Sequence, residues 1–530
     1  MFASKRFLCL LLVLITFFSY FNILSNKLFY DDEDLIYKNA YIQNLHFLPK
    51  YFTQNQTAGS GKFSNMYRPI LLTTFAIDYF LWKGKPFGFH LTSIILHALN
   101  GIWVFLLVKI VFKNRLLAFL TAVFFIVHPV QSEAVAYASG RTDLLYTFFY
   151  LTSLIFFIKS LETKVSLKTF WYLGSLLGFV LALLSKETAV TLPFILIVIL
   201  YLKNTKTFRV QNFWRWLLPF FLTLGLYFLL RLSTLTFYHG YSFYPVATEY
   251  SQNLIIRLYT FCRAFFDYLG MLFFPLELNN ARVVPIIKSF LNPAVIIFVM
   301  VVSLISFYAF EKRRKNKLFL FCLLWFFITI FPVSGVIPIN NTIAERFLYL
   351  PSLAFFLLIS FLITRLFSKL ENFNSKALFS LFLSILFLLL IGRTIIRTFD
   401  WRDAVTFYTR SLKQAPWHIT MRHNLAMAYQ ENGRLDLALK EYEKLLTFPY
   451  VYPMTYHNLG TLYMNWGRYQ EAEKYYFQAL AVDPQFYFSY YALLDLYQKM
   501  SEEEKAKTIR KKLQNEPDLD KVYNFNKTSL

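Results

Sequence analysis

Membrane-length runs of apolar residues recur along this chain as far as residue 397 and then stop. The first run, 8–24, is almost wholly apolar and follows Lys5 and Arg6, which predicts a helix that enters a bilayer from the cytoplasmic side. Further crossings are predicted at 90–112, 116–136, 141–159, 170–185, 188–202, 213–232, 291–310, 317–334, 347–367 and 376–396. Several lie near the lower length limit for a spanning helix. The stretch 254–275 carries Arg257, Arg263 and Asp267 at spacings that leave a polar face, so it reads as an interfacial or re-entrant helix. The fold class is therefore all-α, opening with a polytopic membrane bundle of about eleven crossings over 1–397.

Beyond 397 the pattern becomes that of a soluble helical array. Leu425, Ala426, Tyr429, Gly433, Ala438 and Tyr442 recur as Leu459, Gly460, Tyr463, Gly467, Ala472 and Tyr476, each 34 residues on. This resembles the tetratricopeptide (TPR) repeat, in which small residues let two helices pack closely and each repeat buries a face on the next. Repeats are expected at 419–452 and 453–486, with a weaker third at 487–520 that keeps Tyr497 and Ala506. The second domain is then a short α-solenoid over 398–530, of a kind whose concave groove binds peptide segments.

Composition supports the membrane reading, with 57% hydrophobic and 20% aromatic residues. The net charge of +23 would suggest nucleic acid in a soluble chain. Here the basic residues sit mostly in short loops, where they set topology and meet anionic lipid headgroups, and no basic module laced with aromatics occurs. If Lys113, Arg115, Lys159, Lys164, Lys168, Lys203, Lys206, Arg209, Lys312–Lys317, Arg365 and Lys369 are all cytoplasmic, the N-terminus is inside and the TPR array outside. The outer side then holds 25–89, the turn after His128, the turn at Lys186, 233–290 and 335–346. No small-x-small site follows the first run, which reads as an uncleaved anchor. Cys9, Cys262 and Cys322 lie in apolar stretches without metal-type spacing.

The acids Asp31 and Asp32 follow the first run and open a stretch of four, in a chain with only 31 Asp and Glu among 530 residues. A carboxylate held beside a bilayer can act as a general base or hold a cation. Arg68, Arg141, Lys186 and Arg346 fall on the same predicted side, against the positive-inside tendency. Cations held there need an anionic partner, and a lipid phosphate is the natural one. A base together with a cationic clamp suits transfer of a group from a lipid phosphate to a hydroxyl. Each group also has a bland reading, as a helix start (Tyr67, Arg68), a helix stop (His128), a loop residue (Glu133), a cap (Arg141, Asp143) or a flanking ion pair (Lys186, Glu187, Glu345, Arg346).

The order of these groups carries a resemblance. Tyr30-Asp31-Asp32, Tyr67-Arg68-Pro69, Gly88-Phe89-His90, His128-Pro129-Val130 to Glu133-Ala134-Val135, Gly140-Arg141-Thr142-Asp143, Lys186-Glu187 and Ala344-Glu345-Arg346-Phe347-Leu348-Tyr349 precede the TPRs. The chain thus resembles the transmembrane and TPR-containing O-mannosyltransferases and their bacterial relatives, within the C-type (GT-C) membrane glycosyltransferases. The resemblance implies an inverting transferase with a polyprenyl-phosphate-linked sugar donor and an extracytoplasmic site. It implies Asp31 as base, with Asp32 the second acid, and Arg68, Arg141, Lys186 and Arg346 as ligands of the donor phosphate. Tyr67, His128, Glu133, Asp143, Glu187, Glu345 and Tyr349 would support them. It also implies mannose as the sugar, although no feature of the sequence specifies mannose over another sugar, together with a protein Ser/Thr acceptor taken through the TPR groove and residence in a bacterial inner membrane or the endoplasmic reticulum. No cofactor or essential metal is expected. Animal members carry longer TPR arrays, so the acceptor here can differ. A polyprenyl-lipid flippase and an inactive TPR scaffold are the alternatives.

Overall fold

The structure is a computed structural model that describes residues 4–62, 64–203, 210–235, 248–339 and 341–515. Lys206 and Arg209, part of the 233–290 segment and the end of the third repeat lie outside the described residues. The chain divides into two compact units, Met1–Arg402 and Asp403–Leu530.

The first unit holds α1 (Lys5–Tyr20), α2 (Leu48–Tyr51), α3 (Pro69–Trp82), α4 (Pro86–Phe112), α5 (Arg115–Val127), α6 (Ser132–Ala136), α7 (Arg141–Glu162) and α8 (Val165–Leu183). It continues through α9 (Leu192–Lys203), α10 (Val210–Ser233), α11 (Glu249–Gln252), α12 (Leu254–Phe273), α13 (Pro293–Lys312), α14 (Lys317–Ile330), α15 (Ser352–Lys369) and α16 (Phe373–Phe399). Local chemistry sets many of the ends. Asn114, Asn253, Asn292 and Asn316 cap the helices that follow them by accepting first-turn backbone N–H groups. Pro69, Pro86 and Pro293 open their helices, where the missing donor costs nothing.

Among the described residues, eight helices are long and apolar enough to cross a membrane, and a ninth is counted if one bent pair is a single span. They match eight of the eleven crossings read from the sequence. The run 116–136 is α5 and α6 meeting at a 53° bend. The runs 188–202 and 317–334 become α9, with 12 residues, and α14, with 14, each joined to a 3-10 turn. At 1.5 Å per residue these α-helices reach about 18 and 21 Å, and the adjoining 3-10 turns, at about 2 Å per residue, bring both runs close to a bilayer core of about 30 Å. The segment 25–89 is no open loop, because α2 and the apolar α3 fold within it. In α12 the expected polar face is partly internal. Arg257 is buried, donating Nε to the Gly335 carbonyl at 2.6 Å and Nη1 to that of Ser251 at 2.7 Å.

Helices α7 and α8 pack through small residues. Ser153 and Ser175 exchange hydroxyl-to-carbonyl hydrogen bonds at 2.8 Å each way. A Cβ at Gly178 would come within 3.1 Å of the Ser153 nitrogen, so the close approach requires glycine.

The sequence reading places 398–402 with the array, but these residues belong to the first unit. Polar groups within the helix end hold them there. The Asn22 amide donates to the Thr398 hydroxyl at 2.9 Å, and the Lys27 N–H donates to the Arg402 carbonyl at 2.9 Å.

The second unit begins with α17 (Ala404–Gln414) and continues as three helical hairpins. These are α18 (Ile419–Glu431) with α19 (Leu435–Leu446), α20 (Pro453–Asn465) with α21 (Tyr469–Val482), and α22 (Tyr487–Lys499) with α23 (Glu503–Asn515). Their shared core is built from Ala426, Ala438, Tyr442, Leu459, Ala472, Tyr476, Leu493 and Tyr497. A Cβ at Gly460 would meet the Tyr476 ring at 2.8 Å, which explains the small residue at that repeat position. Gly433 and Gly467 turn the first two hairpins with φ of 70° and 73°. The third hairpin places Ser501 in the same left-handed conformation, φ 59°, so it lacks the residue the turn favours.

Candidate active site

Asp31 and Asp32 occupy the turn after α1, and the two acids have opposite surroundings. Asp31 is exposed, whereas Asp32 is buried at 2% exposure. Asp32 Oδ1 accepts the Ser139 N–H at 2.8 Å and the Ser139 hydroxyl at 2.5 Å. Burial, opposed by those bonds and aided by Asp31, pushes the Asp32 carboxyl up to about 7. Asp32 thus holds the backbone just before α7, and Asp31 is the one open to a ligand. Tyr30, before them, has φ 64°, a left-handed conformation costly for a bulky side chain and typical of strained functional turns. Burial first, then Asp31, pushes its phenol up to about 12. Tyr137 lies with its ring centroid 6.1 Å from that of Tyr30, and burial followed by Asp31 and Asp32 holds its phenol protonated.

Three of the four predicted cations interact with one another, each beside a carboxylate, and one of them, Arg346, feels Asp31. Arg346 pairs with Glu133 Oε1, while its own backbone N–H donates to Glu133 Oε2 at 2.9 Å. The Arg346 side chain stays 21% exposed and that of Glu133 is wholly buried. Lys186 Nζ bonds Asp143 Oδ1 at 2.6 Å, and Arg68 Nη2 reaches Glu187 Oε2 at 3.3 Å. Phe347 lies between two of them, with its ring 5.7 Å from Lys186 Nζ and 5.5 Å from the Arg346 guanidinium carbon. Burial pulls Lys186 down, while Asp143 pushes it back up. Burial would raise Glu187, yet Arg68 and Lys186 outweigh it and hold the carboxyl below its usual range. Arg346 feels Glu133, Asp143, Tyr137 and Asp31 in turn, and is raised despite its burial. The residues thus share one field, in which Asp31 is the exposed anion and Arg346 a partly open cation.

Other predicted site residues have structural partners. The Arg141 side chain is wholly buried, with Nη1 on Asp78 Oδ2 at 2.6 Å, Nη2 on the Phe89 carbonyl at 2.6 Å, and the guanidinium over the Phe75 ring. Its charge is answered inside the helix packing, by Asp78. His128 donates Nε2–H to the Leu272 carbonyl at 3.1 Å and accepts the Val130 N–H on Nδ1, fixing the bend between α5 and α6. The Tyr349 hydroxyl sits 2.6 Å from His97 Nδ1 and accepts from Asn100 at 3.1 Å, deep between helices. The Tyr67 hydroxyl donates to the Phe52 carbonyl at 3.1 Å. Glu345 turns away from Arg346 to Arg397, at 2.7 Å. Arg68 and Arg346 have protein anions as partners, 119 and 213 residues distant along the chain.

Sequence reasoning missed Asp78, Tyr137, Ser139, Phe347 and Arg397. A single acid inside the apolar run 69–82 was the available signal for Asp78. Gly140 also has a role that the sequence left unexplained. A Cβ there would lie 2.9 Å from the Glu133 carbonyl oxygen and 3.0 Å from that of Ala134, so glycine lets the Ser139 turn press on α6. Among the described residues no group of three or more His, Cys, Asp and Glu side chains is placed to hold a metal ion.

Comparison with known proteins adds the following. The tetratricopeptide repeat family matches residues 453–486 and, in a second form, 419–448. A protein O-mannosyl-transferase of Caenorhabditis elegans is 26% identical over 449 residues, covering 82% of this chain and 61% of that protein. The protein O-mannosyl-transferase TMTC3 of Mus musculus is 26% identical over 414 residues, covering 71% of this chain and 43% of its own length. Human TMTC1 is 43% identical over 97 residues, or 18% of this chain and 11% of that protein. These proteins are homologues of the chain, which spans 61% of the first and less than half of the other two. The crystal structure of ArnT from Cupriavidus metallidurans bound to undecaprenyl phosphate aligns with TM-score 0.46 at 12% identity, covering 84% of this chain and 81% of that one.

Proposed function

We propose, from the premise that homologues named protein O-mannosyl-transferases share its chemistry, that this multi-pass membrane protein is a glycosyltransferase. In this reading it moves a sugar, mannose, from a polyprenyl-phosphate-linked donor to an acceptor hydroxyl. The observation that carries the reading is the field in which an exposed Asp31 acts on a partly open Arg346, which in turn acts with Arg68 on Lys186.

Asp31 accepts the proton of the acceptor hydroxyl as its oxygen attacks the anomeric carbon. The bond from that carbon to the phosphate oxygen breaks, and the electron pair leaves with the polyprenyl phosphate. Inversion follows from attack opposite the leaving group. Arg346 has five N–H donors, and its pair with Glu133 leaves several for the phosphate, whose charge grows as the bond breaks. Lys186 and Arg68 add attraction, while Asp143 and Glu187 keep them in place before the donor arrives. An apolar cavity of about 160 Å³ between α12, α13, α14 and α15, lined by Phe265, Leu272, Phe326 and Phe355, has room for about one isoprene unit of the lipid. The TPR unit presents the acceptor polypeptide, and both it and Asp31 face the extracytoplasmic side.

Membranes containing the protein, incubated with radiolabelled polyprenyl-phosphate sugars, test this directly. Label is expected in a polypeptide and released only by cleavage of an O-glycosidic bond. Label that stays wholly in the donor lipid, with a range of donors and acceptors supplied, overturns the proposal. Label in a glycolipid overturns the protein acceptor alone.

A further inference from the structure

The last turn of α16 and the residues just after it touch several of the pieces that carry the site. Arg397 forks onto one carboxylate, with Nη2 2.7 Å from Glu345 Oε1 and Nε 3.4 Å from Glu345 Oε2, while its Nη1 lies 3.0 Å from Asp400 Oδ2. Thr394 donates to the Val127 carbonyl at 2.7 Å, at the end of α5. Asn22 and Lys27, in the segment leading to Asp31, bond Thr398 and Arg402 at 2.9 Å each. Trp401 stacks on Tyr137, with ring centroids 5.1 Å apart and planes at 24°. This turn is also the last before the chain enters the second unit at Asp403.

Neither member of the forked pair is placed to meet substrate, since Glu345 is 1% and Arg397 3% exposed. A buried ion pair is also a poor source of stability, because desolvating two charges consumes most of what their attraction returns. Its geometry is more telling. Glu345 and Arg346 are neighbours in one 3-10 turn, Glu345–Leu348, and they enter two separate ion pairs. Glu133 grips the turn on the site side through both the backbone N–H and the guanidinium of Arg346. Arg397 grips it from behind through Glu345. A turn held on both sides has little freedom to rotate, and the direction of the Arg346 guanidinium is set by it.

We infer that Arg397 is a positioning residue: acting through Glu345, it fixes the turn that aims Arg346 toward the Asp31 side of the site. The inference rests on the proposed transfer reaction for its catalytic meaning and on the turn's geometry for its structural meaning, and the two are tested separately. Arg397→Gln and Arg397→Lys are made in the full chain in membranes. The first readout is hydrogen exchange of the segment 343–349, which needs no activity. Exchange at the Arg346 amide is expected to rise about tenfold or more in Arg397→Gln and to stay near wild type in Arg397→Lys, which keeps a charge for Glu345. The second readout is transfer kinetics. In Arg397→Gln, kcat/KM for the donor is expected to fall roughly a hundredfold, as for an ångström of misplacement, with the acceptor KM unmoved and Lys restoring most of the rate. Should Arg397→Gln fail to insert, Glu345→Gln reads the same coupling from the other side. Unchanged exchange in the turn overturns the inference, as does an equal loss toward donor and acceptor. Altered exchange in a protein whose wild type transfers no sugar leaves the clamp standing and removes the transferase reading.

Discussion

Replacing Asp32 by Asn should stabilise the protein at alkaline pH and destabilise it at acid pH. Asp32 is buried and its carboxyl is raised from the ordinary 3.8 to about 7. The folded protein therefore keeps a proton that the unfolded chain has lost between those values, and native stability falls as pH rises through that window. At about 1.4 kcal/mol per pH unit, the ionised native form above pH 7 carries a penalty on the order of 4 kcal/mol. Asn preserves the Oδ1 acceptor that Ser139 uses from its N–H and its hydroxyl. It also places an amide where Oδ2 was, and an unsatisfied buried donor costs about 1–3 kcal/mol. The balance is a gain of about 2 kcal/mol at pH 8 and a loss of about 2 kcal/mol at pH 4, from the same two terms. Thermal unfolding of the purified full chain in detergent, followed by tyrosine and tryptophan fluorescence at pH 4, 6 and 8, reads the difference between variant and wild type. Other titrating groups are common to both proteins and cancel in that difference. A difference that does not vary with pH would refute the reasoning, because Asp32 would then be ionised throughout.

Arg141→Leu should cost about 3–5 kcal/mol by stranding Asp78, whereas the Arg141→Leu/Asp78→Leu pair should recover most of that loss and still transfer sugar. A well-folded double variant without activity would return Arg141 to the donor site. Ser501→Gly should raise the denaturation midpoint of the TPR unit by an amount worth about 0.5–1 kcal/mol, since it places glycine at a left-handed turn as Gly433 and Gly467 do. An unchanged midpoint would mean that the third hairpin carries no strain there. In intact cells a membrane-impermeant thiol reagent should label a cysteine placed at Gln498 and not one at Asn316. The reverse pattern would invert the topology that puts Asp31 outside.

The reach of sequence reading here follows the range of the interactions. The second unit was legible because each repeat signature is local. Gly433 and Gly467 turn their hairpins, and Gly460 meets Tyr476 only 16 positions later. Crossings built from one straight helix were legible for the same reason, and so were the runs that hold α5, α9 and α14, but not the bend and 3-10 turns that interrupt them, which hydropathy does not register. The ion pairs were hidden by distance along the chain. Arg346 was visible as a cation in an odd place, but its partner Glu133 lies 213 residues earlier, and only the fold joins them. Asp32 could not be told from Asp31 because the two are neighbours of the same type, and what separates them is Ser139. Arg397 marked the end of the membrane runs and drew no further reading, although Asp400, three residues on, was a local hint of an ordered helix end.

The central claim is that Asp31 takes the proton from the acceptor. The most direct measurement is transfer of labelled sugar by Asp31→Asn beside wild type, with equal amounts of each inserted in membranes and equal binding of polyprenyl phosphate confirmed. The account predicts that the nearly isosteric variant binds the lipid as wild type does and loses transfer by a factor of about 100 or more. Transfer at the wild-type rate would contradict it.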